Sequence, residues 1–298
     1  MDRIELSGEQ RAGIAEKKAT CPFLGSAVSG GDLVVRGSAE RPLAAVADIV
    51  ALGDSGGGDL GSKVLKLFAV GNHSRLPGPS DAFDLPTPPG TISLDLAGSQ
   101  GAHAGHSGIL LGDPTARDAG RFSAADFARL AEHADAKGRL DTEAIGDFIA
   151  ENLARDPHSK VLPVGRLASD LFGLADEIGD SLVARLLGRR TEKDSVELRE
   201  KITRLAGEDN LVGSAGEFGL LFAFLAHRPE THKAGDAGIR LEDVEQMFVH
   251  RRLPEGWETW PKQAADWLHA TSRITAAATR AYLKRRIEDR RSGPKTAG

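Results

Sequence analysis

From residue 123 almost to the end of the chain, apolar residues recur at the spacing of an amphipathic helix. Ser123 stands before the first of these segments, where a serine is a favourable N-cap, and Ile145, Phe148 and Ile149 share one face of the next. No run longer than a few residues alternates as a half-buried strand does. We therefore predict a mainly α fold, with helices over 123–133, 141–153, 167–187, 195–205, 214–227, 241–249 and 260–287.

The first part of the chain is interrupted more often by glycine and proline. Short helices are predicted over 8–18, 43–52 and 63–70. Residues 76–108 are rich in Pro, Gly and Ser, and so long an irregular stretch is either a linker or a functional loop. We expect it to pack over a site. Its two histidines, His103 and His106, lie among glycines that disfavour a helical metal pair, so we expect them to line this loop.

Charge and hydropathy exclude several classes of protein. The net charge of −5 disfavours general nucleic-acid binding, and the longest apolar run, 220–226, is too short to cross a bilayer. The acidic start of the chain lacks the apolar core of a secretory signal. A single cysteine agrees with a reducing compartment. We expect a cytoplasmic protein that binds neither nucleic acid nor membrane.

Cys21 is the only cysteine, so it forms no disulfide within the chain. Pro22 favours an extended conformation for Cys21 and is well suited to the first position of a helix. The sulfur is then expected at a helix N-terminus, where free amide groups and the helix dipole favour a thiolate. Two interpretations stay open: a functional thiolate, and a buried structural side chain, which is the commoner role of a free cysteine.

Glu217 stands between two glycines and ahead of a run of Leu and Phe. Desolvation by such neighbours raises the pKa of a carboxyl group and suits it to acid–base chemistry near neutral pH. The alternative is a charge near a helix N-terminus that interacts favourably with the helix dipole. The residues favour neither interpretation over the other.

Two segments have some features of cation sites. In 111–115, Asp113 and Thr115 offer oxygen ligands for a hard cation, although a simple turn that opens a helix is the favoured interpretation. Residues 133–144 resemble a calcium loop, with Asp135 and Gly138 in place. Because the twelfth position is Ala144, the loop lacks its bidentate carboxylate, and we do not expect it to bind calcium.

Taken in order along residues 18–260, several segments resemble the heme-thiolate peroxidases, the family of chloroperoxidase and the unspecific peroxygenases. The family's Pro-Cys-Pro segment is similar to Thr20-Cys21-Pro22, and its Glu-Gly-Asp-X-Ser segment is similar to 111–115. Further similar segments are 75–79, 122–130, 149–157 and 247–257. There are three departures from the family. Leu111 replaces its metal-binding glutamate, and 165–205 reads as an insertion of charged helices. The family's second distal polar residue, an Arg or His, has no clear match, and Asn210 stands at roughly its position.

The resemblance implies a hydrogen-peroxide-dependent peroxidase or peroxygenase that oxidises a small organic substrate. Cys21 is then the proximal thiolate ligand of heme b, and Pro22, Phe23 and Leu24 surround it. Glu217 is the acid–base residue. Phe218 borders the heme, and the substrate side is lined by Phe218 together with Leu221 and Phe222. A Mg²⁺ ion is held by the Gly112 carbonyl, Asp113 and Thr115.

The resemblance also implies a division of the chain. A single helical peroxidase-like domain with long irregular loops covers 1–260, and a C-terminal helix with a basic tail covers 261–298. Two alternatives stay open: a heme-binding protein without turnover, and a helical interaction protein with a degenerate calcium loop and no cofactor. The substrate and the oligomeric state are not predicted.

Overall fold

The computed structural model describes residues 2–19, 21–66, 90–95, 110–111, 121–155, 161, 210–229 and 238–291. Helices predominate in these ranges, which confirms the predicted mainly α fold. In chain order they are α1 (Gly8–Lys17), α2 (Pro22–Gly30), α3 (Val46–Gly53), α4 (Ala124–Glu132), α5 (Thr142–Arg155), α6 (Asn210–Leu225), α7 (Leu241–Phe248) and α8 (Ala264–Arg291). Single turns of 3₁₀ helix cover Ser55–Gly57 and Trp257–Thr259, and a π-helical segment covers Gly61–Leu65. The predicted insertion at 165–205 lies outside the described residues.

The helix starts follow from local chemistry. Ser7 caps α1 through a reciprocal capping box with Gln10, and Ser123 caps α4 by accepting a hydrogen bond from the Asp126 amide at 3.2 Å. Pro22 stands at the first position of α2, as its fixed φ favours. The helices predicted over 8–18, 123–133 and 241–249 are confirmed to within about two residues.

Short strands are the feature that sequence patterning did not indicate. A three-stranded antiparallel sheet contains β1 (Arg36–Gly37), β2 (Pro42–Ala45) and β3 (Thr91–Ser93), in that order. The helix predicted over 43–52 is therefore wrong in its first three residues. Leu43 pairs with Ser93 and Ala44 with Ile92, so hydrogen bonds to a strand far along the chain replace the local helical ones. The helix predicted over 63–70 is confirmed only to Lys66, because the residues beyond it are not described.

Two helix–loop–helix units are joined through their loops. The strand β6 (Arg139–Leu140) between α4 and α5 pairs antiparallel with β7 (Ile239–Arg240) between α6 and α7. A separate pair is formed by β4 (Leu110–Leu111) and β5 (Arg121–Phe122). The pairing of Leu140 with Ile239 places α5 and α6 side by side in the core.

Helix α8 packs along both α5 and α6, and two glycines allow the close approach. A Cβ atom on Gly146 would lie 2.4 Å from the Ala277 Cβ, and one on Gly219 would lie 2.1 Å from the Thr271 hydroxyl oxygen. The Trp267 indole N–H donates to the Gly216 carbonyl at 3.0 Å. Residues from the predicted C-terminal segment 261–298 thus complete the core that α5 and α6 begin. No helix in the described ranges is both long and apolar enough to cross a membrane.

Candidate functional site

Cys21 occupies the N-cap position of α2, with φ −53° and ψ 124°, and Pro22 begins the helix. Its side chain is half-buried, whereas Pro22, Phe23 and Leu24 are buried. No side-chain hydrogen bond caps α2, but the Leu24 and Phe23 amides both lower the pKa of the thiol. The placement of the sulfur at a helix N-terminus is therefore as the sequence predicts.

Burial raises the pKa of the Cys21 thiol, and this effect outweighs the opposing amide dipoles of Leu24 and Phe23. The negative charge of Glu217 raises this pKa further, and the positive charge of Arg251 lowers it. With its pKa above the ordinary value, Cys21 is a neutral thiol at pH 7. A free nucleophilic thiolate is accordingly disfavoured, whereas a metal ion that binds the sulfur displaces the proton.

Glu217 lies in the middle of α6 and is half-buried. Leu221 and Phe224 follow it at the spacing of one helix face, and the Phe224 ring stacks on the Phe23 ring of α2 with centroids 4.5 Å apart. That stack turns the Glu217 face of α6 toward α2. The carboxylate consequently lies close enough to Cys21 for its charge to act on the thiol.

Ser214 precedes Glu217 by one helical turn on α6 and is 2% exposed. Within the described part of the chain its hydroxyl oxygen has no hydrogen-bond partner. A buried hydroxyl group without a hydrogen-bond partner lowers the stability of the folded protein. This hydroxyl group lies one helical turn before Glu217.

Arg251 is the residue of this site that sequence reasoning missed. It follows α7, which docks on α2 through a hydrogen bond from the Ser26 hydroxyl to the Met247 carbonyl at 3.0 Å. The only sequence signal was an arginine in the segment 247–257, and that segment also contains Arg252. Tertiary structure separates them, because Arg251 is half-buried with its guanidinium next to Gly25 in the first turn of α2, whereas Arg252 is exposed.

The aromatic residues divide between the site and the core behind it. The Phe23 ring contacts both Phe224 and Trp257, so it anchors the start of α2. The Phe218 ring meets the Phe148 ring of α5 edge-on, with centroids 6.0 Å apart, so its described ring contact lies on the α5 side of α6. Leu221 and Phe222, predicted to line the substrate side, are 6% and 5% exposed. A role for Phe218 beside a cofactor stays a prediction.

The predicted Mg²⁺ ligands Gly112, Asp113 and Thr115 lie outside the described residues, as do His103 and His106. Among the described residues no three His, Cys, Asp or Glu side chains come together as a metal site. In the segment that resembles a calcium loop, the guanidinium of Arg139 binds Asp135 at 2.9 and 3.0 Å. The Arg139 guanidinium therefore binds the carboxylate group that would be a ligand of a bound cation.

Three groups come together at the start of α2. Cys21 offers one soft donor that is partly exposed, amide dipoles at α2 stabilise negative charge on it, and a carboxylate stands on a facing helix. Comparison of the chain with protein-family models, curated proteins and solved structures found no match.

Proposed function

We propose that this protein is a heme-thiolate peroxidase or peroxygenase that uses hydrogen peroxide to oxidise a small, apolar organic molecule. The observation that carries the proposal is that Cys21 stands at the N-terminus of α2 and Glu217 stands on α6, the helix that faces α2 through the Phe23–Phe224 stack. A thiol at a helix N-terminus and a carboxylate on the facing helix are the two protein groups that such chemistry needs. The sequence segments that resemble the family support the same assignment.

The proposal assigns a role to each residue of the site. Cys21 binds the cofactor through its sulfur, and the Phe23 and Leu24 amides moderate the charge of that sulfur. Heme iron with a thiolate ligand supplies the cleavage of the peroxide O–O bond. The Glu217 carboxylate accepts a proton from the peroxide and returns it to the departing oxygen. Leu221 and Phe222, one helical turn further along α6, exclude water from its neighbourhood.

The proposal includes a Mg²⁺ ion bound by the Gly112 carbonyl, Asp113 and Thr115. These are oxygen donors, which Mg²⁺ prefers, and they lie close together in the sequence. In the described part of the chain, Leu111 pairs with Arg121 between β4 and β5, so the strand leads directly into the proposed ligands.

A second candidate is an interaction protein built on the paired helix–loop–helix units. The observation that favours it is the ion pair of Asp135 with Arg139, which closes the loop without a cation, together with the pairing of that loop with β7. This candidate needs no cofactor. Colour after expression with adequate heme therefore separates it from the first.

The test is the absorption spectrum of protein supplied with heme, recorded in the ferric state and after reduction under CO. We expect the parent to show the red-shifted ferrous–CO Soret band of a thiolate ligand and Cys21→Ala to lack it, because no other cysteine can replace the sulfur. Cys21→Ser controls for packing, since it retains nearly the same volume. Equal melting temperatures for parent and variants establish that the fold is retained.

A colourless parent that takes up no added hemin would overturn the proposal. A parent whose ferrous–CO band is unchanged in Cys21→Ala would show that heme binds elsewhere, and Cys21 would then be a structural side chain.

A further inference from the structure

Arg251 has a backbone conformation that residues other than glycine rarely adopt. Its φ is +51°, and it is the one residue other than glycine with a positive φ among the described residues. The conformation turns the chain out of α7, and the next amide, Arg252 N–H, donates to the Gln246 carbonyl at 2.9 Å. Glycine adopts this conformation without steric cost, so the arginine at this position carries backbone strain that a glycine would not.

The side chain extends from α7 to the first turn of α2. A Cβ built on Gly25 would lie 3.4 Å from the Arg251 Nη1 atom, 3.3 Å from the Ala15 carbonyl oxygen and 2.5 Å from the Ala19 carbonyl oxygen. Glycine at position 25 therefore lets the end of α1, the start of α2 and the guanidinium meet at one place. That place is one helical turn from Cys21, because the Gly25 amide donates to the Cys21 carbonyl at 2.8 Å.

Electrostatics agree with this geometry. Burial lowers the pKa of Arg251, whereas the negative charges of Cys21 in its ionised form and of Glu16 raise it. The guanidinium remains charged at neutral pH, as arginine does in proteins. It counters the negative charge that Glu217 brings to the same thiol.

We propose that Arg251 is a positioning residue whose guanidinium supplies positive charge beside the first turn of α2 and so attracts anions to the neighbourhood of Cys21. With heme bound, which rests on the proposed function, Arg251 limits the electron donation of the thiolate ligand. Without heme, the same charge attracts small anions to the sulfur. These two consequences can be measured separately.

The first experiment uses the protein without heme and compares two alkylating reagents at a single pH. Iodoacetate carries a negative charge and iodoacetamide does not, so the ratio of their rates with Cys21 reports the local potential. We expect Arg251→Gln to lower this ratio by at least about fivefold, which is the effect of one charge about 4 Å away at the dielectric constant of water and a lower limit for a half-buried site. Arg251→Lys retains the charge and should keep most of the ratio, whereas Arg252→Gln, the matched control at the exposed neighbour, should leave it unchanged.

The second experiment measures the ferric/ferrous reduction potential of the heme-loaded protein. Removal of a positive charge disfavours the more negative, reduced state, so Arg251→Gln should have a lower potential than the parent and than Arg252→Gln. Arg251→Gly separates charge from strain. Glycine adopts a positive φ without strain, so this variant should not melt at a lower temperature than the parent. It should still show the lower alkylation rate ratio and the lower reduction potential.

The outcomes distinguish the two proposals. If the parent binds no heme but the iodoacetate-to-iodoacetamide rate ratio is still lower in Arg251→Gln, the proposed function would be overturned and the role of Arg251 supported. A heme-loaded parent with a thiolate spectrum, and with both quantities equal in Arg251→Gln and Arg252→Gln, would overturn the role of Arg251 alone. A melting temperature that falls in Arg251→Gly, with an unchanged ratio, would assign the side chain to packing.

Discussion

Glu217→Gln is expected to lower peroxide-driven turnover of the heme-loaded protein by about 10²–10⁴-fold, the usual contribution of a positioned acid–base group. The amide has nearly the shape of the carboxyl group but can neither accept nor return a proton at pH 7. Because Glu217 is half-buried in the middle of α6, the exchange should leave the helix and the Cys21 ligand in place. The measurement is kcat for oxidation of an apolar substrate, together with the ferrous–CO spectrum.

Glu132→Gln is a suitable control, because Glu132 is an exposed carboxylate at the end of α4. It should keep both the rate and the spectrum of the parent. If Glu217→Gln retains turnover within about twofold while binding heme normally, another group carries the proton and the assignment of Glu217 is wrong. A parent that binds heme through Cys21 but oxidises nothing would instead indicate a heme-binding protein without turnover.

Substitution of Lys262 is expected to lower the free energy of unfolding more than substitution of any other charged residue named above. It is fully buried, and its ammonium group donates to the Trp260 carbonyl at 2.7 Å, the Trp257 carbonyl at 2.8 Å and the Ser55 hydroxyl at 2.9 Å. The Nζ atom also lies 3.8 Å from the centroid of the Trp257 ring. One side chain thus joins the turn at 55–57 to the segment that leads into α8.

Lys262→Ala should lower the free energy of unfolding by about 4 kcal/mol, because it leaves a cavity and buried carbonyl groups without donors. Lys262→Met fills most of the volume and should cost about half as much, which separates packing from hydrogen bonding. Denaturant unfolding measures both. Lys284→Ala is the control, since Lys284 is exposed on α8 and its loss should change stability by less than about 0.5 kcal/mol. Equal stabilities for Lys262→Ala and the control would contradict the structural role of Lys262.

The same residue should make stability depend on pH. Burial lowers the pKa of Lys262 from 10.5 to about 8. Between these two pH values the unfolded chain binds more protons than the folded protein, so stability rises with pH from about 8 to about 10.5. The gain is up to about 3 kcal/mol at the conversion of 1.36 kcal/mol per pKa unit. Because other groups titrate in this range, the quantity to measure is the difference in slope between the parent and Lys262→Met, which should lack this rise.

Local patterning predicted most of the described helices and little of the pairing between segments. Ser123 and Pro22 mark helix starts through interactions with residues at most a few positions away, so the sequence shows them directly. The strand at 42–45 was missed because its nearby partner β1 is only two residues long, its other partner β3 lies far along the chain, and its apolar residues continue without a break into α3. Strand pairing over such a separation leaves no periodic signal in a four-residue segment.

The candidate site divides in the same way. Cys21 as an N-cap and Glu217 within an apolar helix could be predicted from their neighbours alone. Arg251 could not, because Arg251 and Arg252 are identical in type and adjacent, and only the turn after α7 directs one toward Gly25 and leaves the other exposed. The sequence predicts Lys262 as an exposed lysine before a helix, because lysine is seldom buried.

The sequence by itself determined the helical class, the starts of α1, α2 and α4 and the placement of the lone sulfur at a helix N-terminus, because these depend on interactions within one or two turns. Tertiary structure alone decided that α6 turns Glu217 toward Cys21, that Arg251 approaches the same sulfur and that Lys262 is buried. Such contacts arise when helices pack through the Phe23–Phe224 stack and the Ser26–Met247 hydrogen bond, and the groups they bring together share no local pattern.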